Sequence, residues 1–238
     1  MSGHSKWAQI KRQKGVADQK RGQIFSKLSR EIALAAKAGG DPKTNYKLRL
    51  ALDRAKDAGM PKEAVERAVK RGTGELKEGQ IEEVMYEGYG PFGTAFLVEA
   101  ATDNKNRLSQ EIKHIFTNHQ GHLGAQGSVA WQFVTRGQIL VERDRDDLSD
   151  LELLAIDAGA EDVRESKEGL EVYTLPLDLE KIKAALTKTG AKIAQTQVIE
   201  ESTQGVALSD AQKKQVDALF AELENNEDVI AVHTSANL

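Results

Sequence analysis

The chain has 238 residues and no cysteine, carries 33 Lys and Arg against 37 Asp and Glu, and is 39% hydrophobic but only 5% aromatic. The missing cysteine excludes disulfides, thiolate zinc sites and thiol catalysis together, and no apolar run reaches the length of a membrane span. So small a supply of aromatics favours several small cores over one thick one, and a soluble cytoplasmic protein of the α+β class is expected.

The chain opens on its most unusual stretch. Met1 to Arg30 holds eight Lys and Arg (Lys6, Lys11, Arg12, Lys14, Lys20, Arg21, Lys27, Arg30) against Asp18 alone. Residues 1–71 carry 18 Lys and Arg against 7 Asp and Glu, and the remainder carries 15 against 30, so the formal net charge of -4 averages two surfaces of opposite sign. A segment this polar cannot bury enough surface to fold alone, and on charge alone it reads equally well as a solvated tail. A long polyanion would neutralise it and release its own condensed counterions. Trp7 sits among the cations, where an indole can stack on an unpaired base. A short helix around Trp7 to Gln13 is expected. The next helix, Gly22 to Ala38, has Ile24, Leu28, Ile32 and Ala35 on one stripe, and Lys20, Lys27 and Arg30 bracket that stripe, so they are expected to project from one rim as a phosphate track.

Gly39-Gly40-Asp41-Pro42 ends that helix. A second, Thr44 to Ala58, places Leu48, Ala51, Leu52 and Ala55 together. Pro61 suits the first turn of a third, and the three predict an antiparallel bundle with basic outward faces. Gly72 to Gly79 reads as a linker without the Gly-Lys-Ser/Thr ending of a phosphate loop. The period then changes to that of strands: Glu82 to Tyr89 and Thr94 to Ala100 are followed by a helix over Asn104 to Thr117, a loop over Gly121 to Gly127, and a strand over Val129 to Val134. From Gly137 the order is strand Ile139–Glu142, helix Leu148–Ala158, strand Asp162–Glu165, strand Leu170–Leu175, helix Leu179–Lys188 and strand Ile193–Ile199. That β-α-β-β-α-β order is ferredoxin-like. A helix (Ser209 to Glu224) and a strand (Val229 to Thr234) remain, and they are expected to return to the sheet begun at Glu82. The predicted domains are 1–78 (arm and bundle), 79–135 with 203–238 (an α/β domain), and 136–202 (the inserted ferredoxin-like domain).

Away from the arm, Thr102-Asp103-Asn104-Lys105-Asn106-Arg107 lies at a strand-to-helix junction. Thr102 or Asp103 serves as a cap there, or Asn104, Asn106 and Arg107 join the helix N-terminus as a seat for an anion or ribose-phosphate. His114, His119 and His122 lack the i, i+4 pairing of helix-borne metal ligands and have no cysteine partner, so no metal and no cofactor is expected. No Ser-His-acid set, nucleotide loop or recognisable carboxylate pair appears, which leaves catalysis without a candidate.

Several stretches together resemble the YebC family, relatives of the mitochondrial translational activator of cytochrome oxidase subunit I. They are Gly3-His4-Ser5-Lys6-Trp7, Phe25-Ser26-Lys27-Leu28-Ser29-Arg30-Glu31-Ile32, Gly39-Gly40-Asp41-Pro42, Met60-Pro61, Tyr86-Glu87-Gly88-Tyr89-Gly90-Pro91, Thr102-Asp103-Asn104-Lys105-Asn106-Arg107 and Leu123-Gly124-Ala125-Gln126-Gly127-Ser128-Val129. The resemblance implies the same three domains and a non-enzymatic regulator whose partner is nucleic acid. That regulator is a DNA-binding transcriptional regulator or, as the alternative, a ribosome-associated factor that binds ribosomal RNA and eases synthesis through consecutive prolines. It implies functional roles for the arm and for Asn104, Asn106 and Arg107. This chain departs from the family pattern at Phe92, where glycine is usual, and at Gln120-Gly121-His122, where Gly-Gly-Asn is usual. If Trp7 stacks on a base, Trp7→Ala should weaken binding to unpaired strands by about 1–3 kcal/mol. Equal binding of a labelled single strand by wild type and variant would make Trp7 a packing residue.

Overall fold

The structure, a computed structural model, describes residues 19–76, 81–144 and 147–237. The first half of the chain forms α1 (Gln19–Ala36), α2 (Tyr46–Asp57), α3 (Lys62–Gly72), β1 (Glu82–Tyr89), β2 (Ala95–Thr102), α4 (Lys105–Asn118) and β3 (His122–Leu123). There follow β4 (Phe133–Glu142), α5 (Ser149–Ala158), β5 (Asp162–Glu165), β6 (Gly169–Thr174), α6 (Leu179–Lys188), β7 (Ile193–Ser202), α7 (Asp210–Asn225) and β8 (Val229–Thr234). The fold is α+β, with seven α-helices and two four-stranded antiparallel sheets among the described residues. The described residues divide into two compact units, one built from residues 19–132 together with 204–237, the other from 133–203.

In the first unit, Leu28, Ile32 and Ala36 of α1 meet Leu48, Ala51 and Ala55 of α2 and Ala68 of α3 in one apolar cluster closed by Met60. The α1–α2 turn is fixed by Asn45. Its Oδ1 accepts the Leu48 N–H at 3.1 Å, capping α2, while its Nδ2 donates to the carbonyls of Ala35 (2.7 Å) and Gly39 (2.8 Å). One side chain thereby satisfies groups at two helix ends. Pro61 precedes α3 instead of entering its first turn. At Gly72 the helices touch backbone to backbone, because a Cβ there would lie 2.2 Å from the Ala33 carbonyl oxygen.

The first sheet has the order β3-β1-β2-β8. Its β1–β2 register joins Glu82 to Thr102 and Tyr89 to Ala95, and β8 returns from the end of the chain to pair with β2. One face, carrying Tyr86, Phe96, Val98 and Val232, buries Leu108, Ile112 and Phe116 of α4 and Val216, Leu219 and Phe220 of α7. Phe96 and Phe116 meet edge to face at 5.9 Å, the arrangement their ring quadrupoles favour. A second, smaller cluster brings Ala33 of α1 against Ile81 and Ala101, flanked by Leu34 and Ile230. The helical segment therefore packs on this sheet within one unit.

The second unit runs β4-α5-β5-β6-α6-β7 with sheet order β5-β6-β4-β7, every neighbouring pair antiparallel. Two strands expected from the sequence, Val129–Val134 and Ile139–Glu142, are one 3-10 turn (Ala130–Gln132) and one continuous ten-residue strand, β4. Gly137 reads as a break, yet it lies inside β4. A Cβ there would meet Thr174 Oγ1 at 2.7 Å and Leu179 at 2.9 Å, so the glycine marks close packing. Along β4 and β6, Ile139, Val141, Leu170 and Val172 alternate with Gln138, Glu171 and Tyr173. The polar set is joined by hydrogen bonds: Gln197 Nε2 donates to Gln138 Oε1 (2.9 Å), Gln138 Nε2 to the Tyr173 hydroxyl (3.2 Å), and that hydroxyl to Glu171 Oε2 (2.8 Å).

The loop over Gly121 to Gly127 conceals β3, whose two residues are too few to show a period. Because the Gly72 contact is with backbone that cannot rotate away, Gly72→Ala should force α3 off α1 at a cost of about 1–3 kcal/mol. A thermal midpoint equal to that of wild type would show that the helices are not so closely set.

Candidate nucleic-acid interface

The residues of the leading region expected to bind nucleic acid fall into three groups. Lys6, Trp7, Lys11, Arg12 and Lys14, with the expected helix over Trp7 to Gln13, lie outside the described residues. Lys20 belongs by its backbone to α1, and Arg21 is exposed one residue later. Lys27 and Arg30 do not form the free rim expected of them. Lys27 Nζ donates to the Glu224 carbonyl at the end of α7, and Arg30 donates to the Glu227 carbonyl at 2.9 Å and pairs with Asp228 at 2.8 Å. The stripe they flank packs into the helical bundle, while the two cations reach the α7–β8 turn, whose carbonyls and carboxylate hold them.

Asp228 is the centre of this junction. It is 2% exposed, and burying a carboxylate costs several kcal/mol unless it is paired. Its Oδ1 takes Arg30, and its Oδ2 takes Arg107 Nη2 and the Thr102 hydroxyl, the latter at 2.8 Å. Its backbone is bound as well, for Ala101 N–H donates to its carbonyl at 2.8 Å and its own N–H reaches Asn226 Oδ1 at 3.0 Å. Helix α1, the end of β2, the first turn of α4 and the α7–β8 turn thus meet on one side chain.

This arrangement also decides the fate of the expected anion seat. Asn104 is the N-cap of α4, with its Oδ1 accepting the Arg107 N–H at 3.0 Å, and Thr102 supports it by accepting the Asn104 N–H at 3.1 Å. The cap is therefore Asn104, not Thr102 or Asp103. Arg107 is turned to Asp228 and, at 3.1 Å, to Glu111. Lys105 pairs with Glu82, and Arg71 lies 3.6 Å from Asp103. Asn106 is exposed. The side chains are brought together, but the cations face carboxylates rather than an open anion site.

A second organised loop joins two of the stretches that carry the resemblance, though no binding role was expected of either. Glu87, on β1 and 4% exposed, accepts three backbone N–H groups: Gly127 at 2.6 Å, Val129 at 2.7 Å and Ala130 at 2.8 Å. Burial pushes its carboxyl up, but the three amides outweigh burial and hold it below the usual value. The Tyr89 hydroxyl donates to the Ser128 carbonyl at 2.9 Å and its ring stacks on His122 at 5.4 Å. Trp131 ends the loop with its side chain 65% exposed and its indole N–H on the Ser128 carbonyl at 3.1 Å. An exposed indole is suited to base stacking, and its place inside an apparent strand hid it. Of the three histidines, His119 bonds Glu222 at 2.6 Å, His122 stacks on Tyr89 and His114 is exposed, and no metal-ligating cluster occurs among the described residues.

Comparison with known proteins covers nearly the whole of this framework. Residues 5–75 match the TACO1/YebC protein N-terminal domain, and residues 81–236 match the TACO1/YebC second and third domain. This chain belongs to the TACO1/YebC family. It is 48% identical, over all of its length and 98% of the relative's, to a probable transcriptional regulatory protein of Thermoanaerobacter pseudethanolicus. It is also 48% identical, over all of its length and 97% of the relative's, to one of Desulfosudis oleivorans. A crystal structure of a conserved hypothetical protein from Aquifex aeolicus is similar at a TM-score of 0.84 and 41% identity, covering 92% of this chain and 91% of that one.

Within this TACO1/YebC chain, both departures from the family pattern fall on left-handed backbone. Phe92 has φ +62° and Gln120 φ +60°, a region that costs an L-residue roughly 1–2 kcal/mol and costs glycine almost nothing. No helix of the described residues is long and apolar enough to cross a membrane.

Asp228→Asn leaves Arg30 and Arg107 beside a neutral group, and should lower stability by about 2–4 kcal/mol. That is below the full cost of breaking a buried pair, because Arg107 is partly exposed. A urea midpoint unchanged from wild type would remove Asp228 from its central place. Burial, reinforced by the nearby Arg30 cation and opposed by Glu224, lowers the Lys27 pKa from 10.5 to about 8. Between these values the unfolded chain holds more protons than the folded one, so stability should rise with pH across that window. In Lys27→Met this rise should vanish, and its persistence would place its origin elsewhere.

Proposed function

We propose that this chain is a non-enzymatic, cytoplasmic regulatory protein that binds nucleic acid through its cationic leading end, and that it acts as a DNA-binding transcriptional regulator. One observation carries this reading. Residues 1–30 hold eight cations and one acid, on a chain whose remainder past residue 71 has twice as many acids as bases. A long phosphate chain is the partner that gains most from such an arm, through released counterions. The names of the relatives, probable transcriptional regulatory proteins, support the regulatory role. The functional division follows the sequence: an arm and bundle over 1–78 for docking, an α/β domain over 79–135 and 203–238, and an inserted ferredoxin-like domain over 136–202.

The second reading is a ribosome-associated translation factor that binds ribosomal RNA and relieves stalling at consecutive prolines. A specific observation favours it: the basic helices α1 to α3 are packed on one another or on the sheet, and Lys27 and Arg30 of α1 are turned inward. Single-stranded RNA loops need no recognition helix laid in a major groove.

Deletion of residues 1–21 tests the common part. The shortened chain should keep its fold by circular dichroism and lose its hold on DNA and RNA alike. If about five arm cations meet phosphates, the intact protein should show log affinity falling against log salt with a slope of roughly -3.5 to -4.5. Undiminished binding by the shortened chain would overturn the arm as the contact. Crosslinking in cells, scored for ribosomal RNA against DNA, separates the two readings.

A further inference from the structure

At the β3 edge of the first sheet, three rings gather around one carbonyl. Tyr89 closes β1 and pairs with His122 of β3, and their rings stack at 5.4 Å with 29° between the planes. Trp131 comes from the far end of the loop that follows β3. The Tyr89 hydroxyl and the Trp131 indole N–H donate to the same acceptor, the Ser128 carbonyl, at 2.9 and 3.1 Å. One oxygen with two lone pairs thus collects the polar ends of both side chains, and brings the indole up to Tyr89. His122 is exposed, and Trp131 has most of its surface in water. A large aromatic left outside forgoes the burial that makes such side chains useful in a core. Two properties of the loop bear on what covers these rings. It is set before any ligand arrives: Glu87 holds the amides of Gly127, Val129 and Ala130, and the Gly124 N–H donates to the Glu87 carbonyl at 2.7 Å. Ring surface held in this way costs a ligand little ordering. The loop also brings no negative charge of its own. Residues 112–141 contain no Asp or Glu, although the chain has 37 among its 238 residues, and the carboxylate beneath the loop, Glu87, is buried against amides.

We propose that Tyr89, His122 and Trp131 form a stacking platform for unpaired bases of a bound nucleic-acid strand. The proposal rests on the nucleic-acid reading above and adds a contact that stands on the first sheet, apart from the arm. What the rings have left to offer selects the occupant. The hydroxyl and indole donors are spent on Ser128, so Tyr89 and Trp131 recognise a ligand by their faces. A polypeptide laid over them would bring backbone N–H and C=O groups that need partners once covered, and those two donors are no longer there to meet them. A base needs no such partner, because its polar edge stays in water while its face lies on a ring. Every base has such a face, so the platform is tolerant of sequence. In a duplex the bases are stacked on one another and present no face along the length of the helix. With no carboxylate in the loop, the phosphates on either side of a stacked base approach it without repulsion from the segment that carries Trp131. RNA and DNA strands share the chemistry that is recognised, and both serve as probes.

The experiment uses the full chain and three variants, Trp131→Ala, Trp131→Phe and Trp131→Leu, at a side chain that lies mostly in solvent. Fluorescence anisotropy is read with a labelled unstructured RNA, the DNA strand of the same sequence, and the corresponding DNA duplex. Trp131→Ala should weaken binding of both single strands about tenfold and leave duplex binding unchanged. Trp131→Phe keeps a ring face and loses the N–H, so it should retain most of the affinity. Trp131→Leu is apolar without a π face and should fall with Trp131→Ala. A loss shared equally by the duplex, or a leucine as good as phenylalanine, would overturn base stacking. Photocrosslinking of a bromouracil-substituted strand to wild type needs no variant to fold. Trypsin releases residues 114–136 as one peptide holding both His122 and Trp131, and mass spectrometry should find that peptide marked. Single-strand binding unchanged in Trp131→Ala, or crosslinks that miss both this peptide and the one carrying Tyr89, would overturn the platform while leaving the arm intact. Strand binding that survives removal of residues 1–21 but fails in Trp131→Ala would overturn the arm and uphold the platform. Absence of binding to any strand by wild type would overturn both.

Discussion

The carboxylate of Asp228 receives two guanidiniums and a hydroxyl from three different parts of the chain, and the arrangement of the first unit depends on that convergence. A buried charge must be compensated where it sits, so Arg30, Arg107 and Thr102 are held to positions that the apolar contacts alone would leave loose. Those contacts are small: the patch between α1 and the sheet centres on Ala33, Ile81 and Ala101, and its two alanines offer little shape to key into. The ionic junction supplies the direction and the small apolar patch supplies the close approach. Asn45 and Gly72 do the corresponding work inside the bundle, one by satisfying two helix ends and the other by letting backbones touch.

Charge in this protein consequently has two uses that a formal count cannot separate. Some of the cations in the basic leading region, Lys27, Arg30 and Arg54 among them, are turned to carbonyls or carboxylates of the same chain. Others, such as Arg21, stay at the surface. Only the second kind is available to a polyanion. The same holds at the start of α4, where Arg71, Lys105 and Arg107 face Glu82, Asp103, Glu111 and Asp228 at a junction that resembles an anion site in sequence and is a structural knot in space.

Secondary structure was legible where period and punctuation agreed. The strand over Glu82 to Tyr89, the helix over Leu179 to Lys188 and the strand over Val229 to Thr234 have the limits their patterns predict. It failed where tertiary packing overrode a local signal. Gly137 is a close contact and not a break, β3 is two residues with no period, and Trp131 looks like strand core but stands in solvent. At the candidate site, residue type marked the charged positions and could not give their partners. Nothing near Lys27 or Arg30 in sequence announces Glu227 or Asp228, which lie about two hundred residues away and are joined to them only by the return of α7 and β8. Phe92 and Gln120 are the converse case, because the departure from the family pattern at each position coincides with left-handed backbone.

The late return of β8 has a consequence for biosynthesis. As the chain leaves the ribosome, β1 and β2 can pair at once, but the far side of β2 has no partner until the whole of the second unit and α7 have been made. During that interval β2 is a bare edge of apolar residues, the kind of surface on which nascent chains recruit one another. Arg30 likewise waits for its acid. The first unit is thus begun first and completed last, and its vulnerable period is as long as the synthesis of the segment that interrupts it.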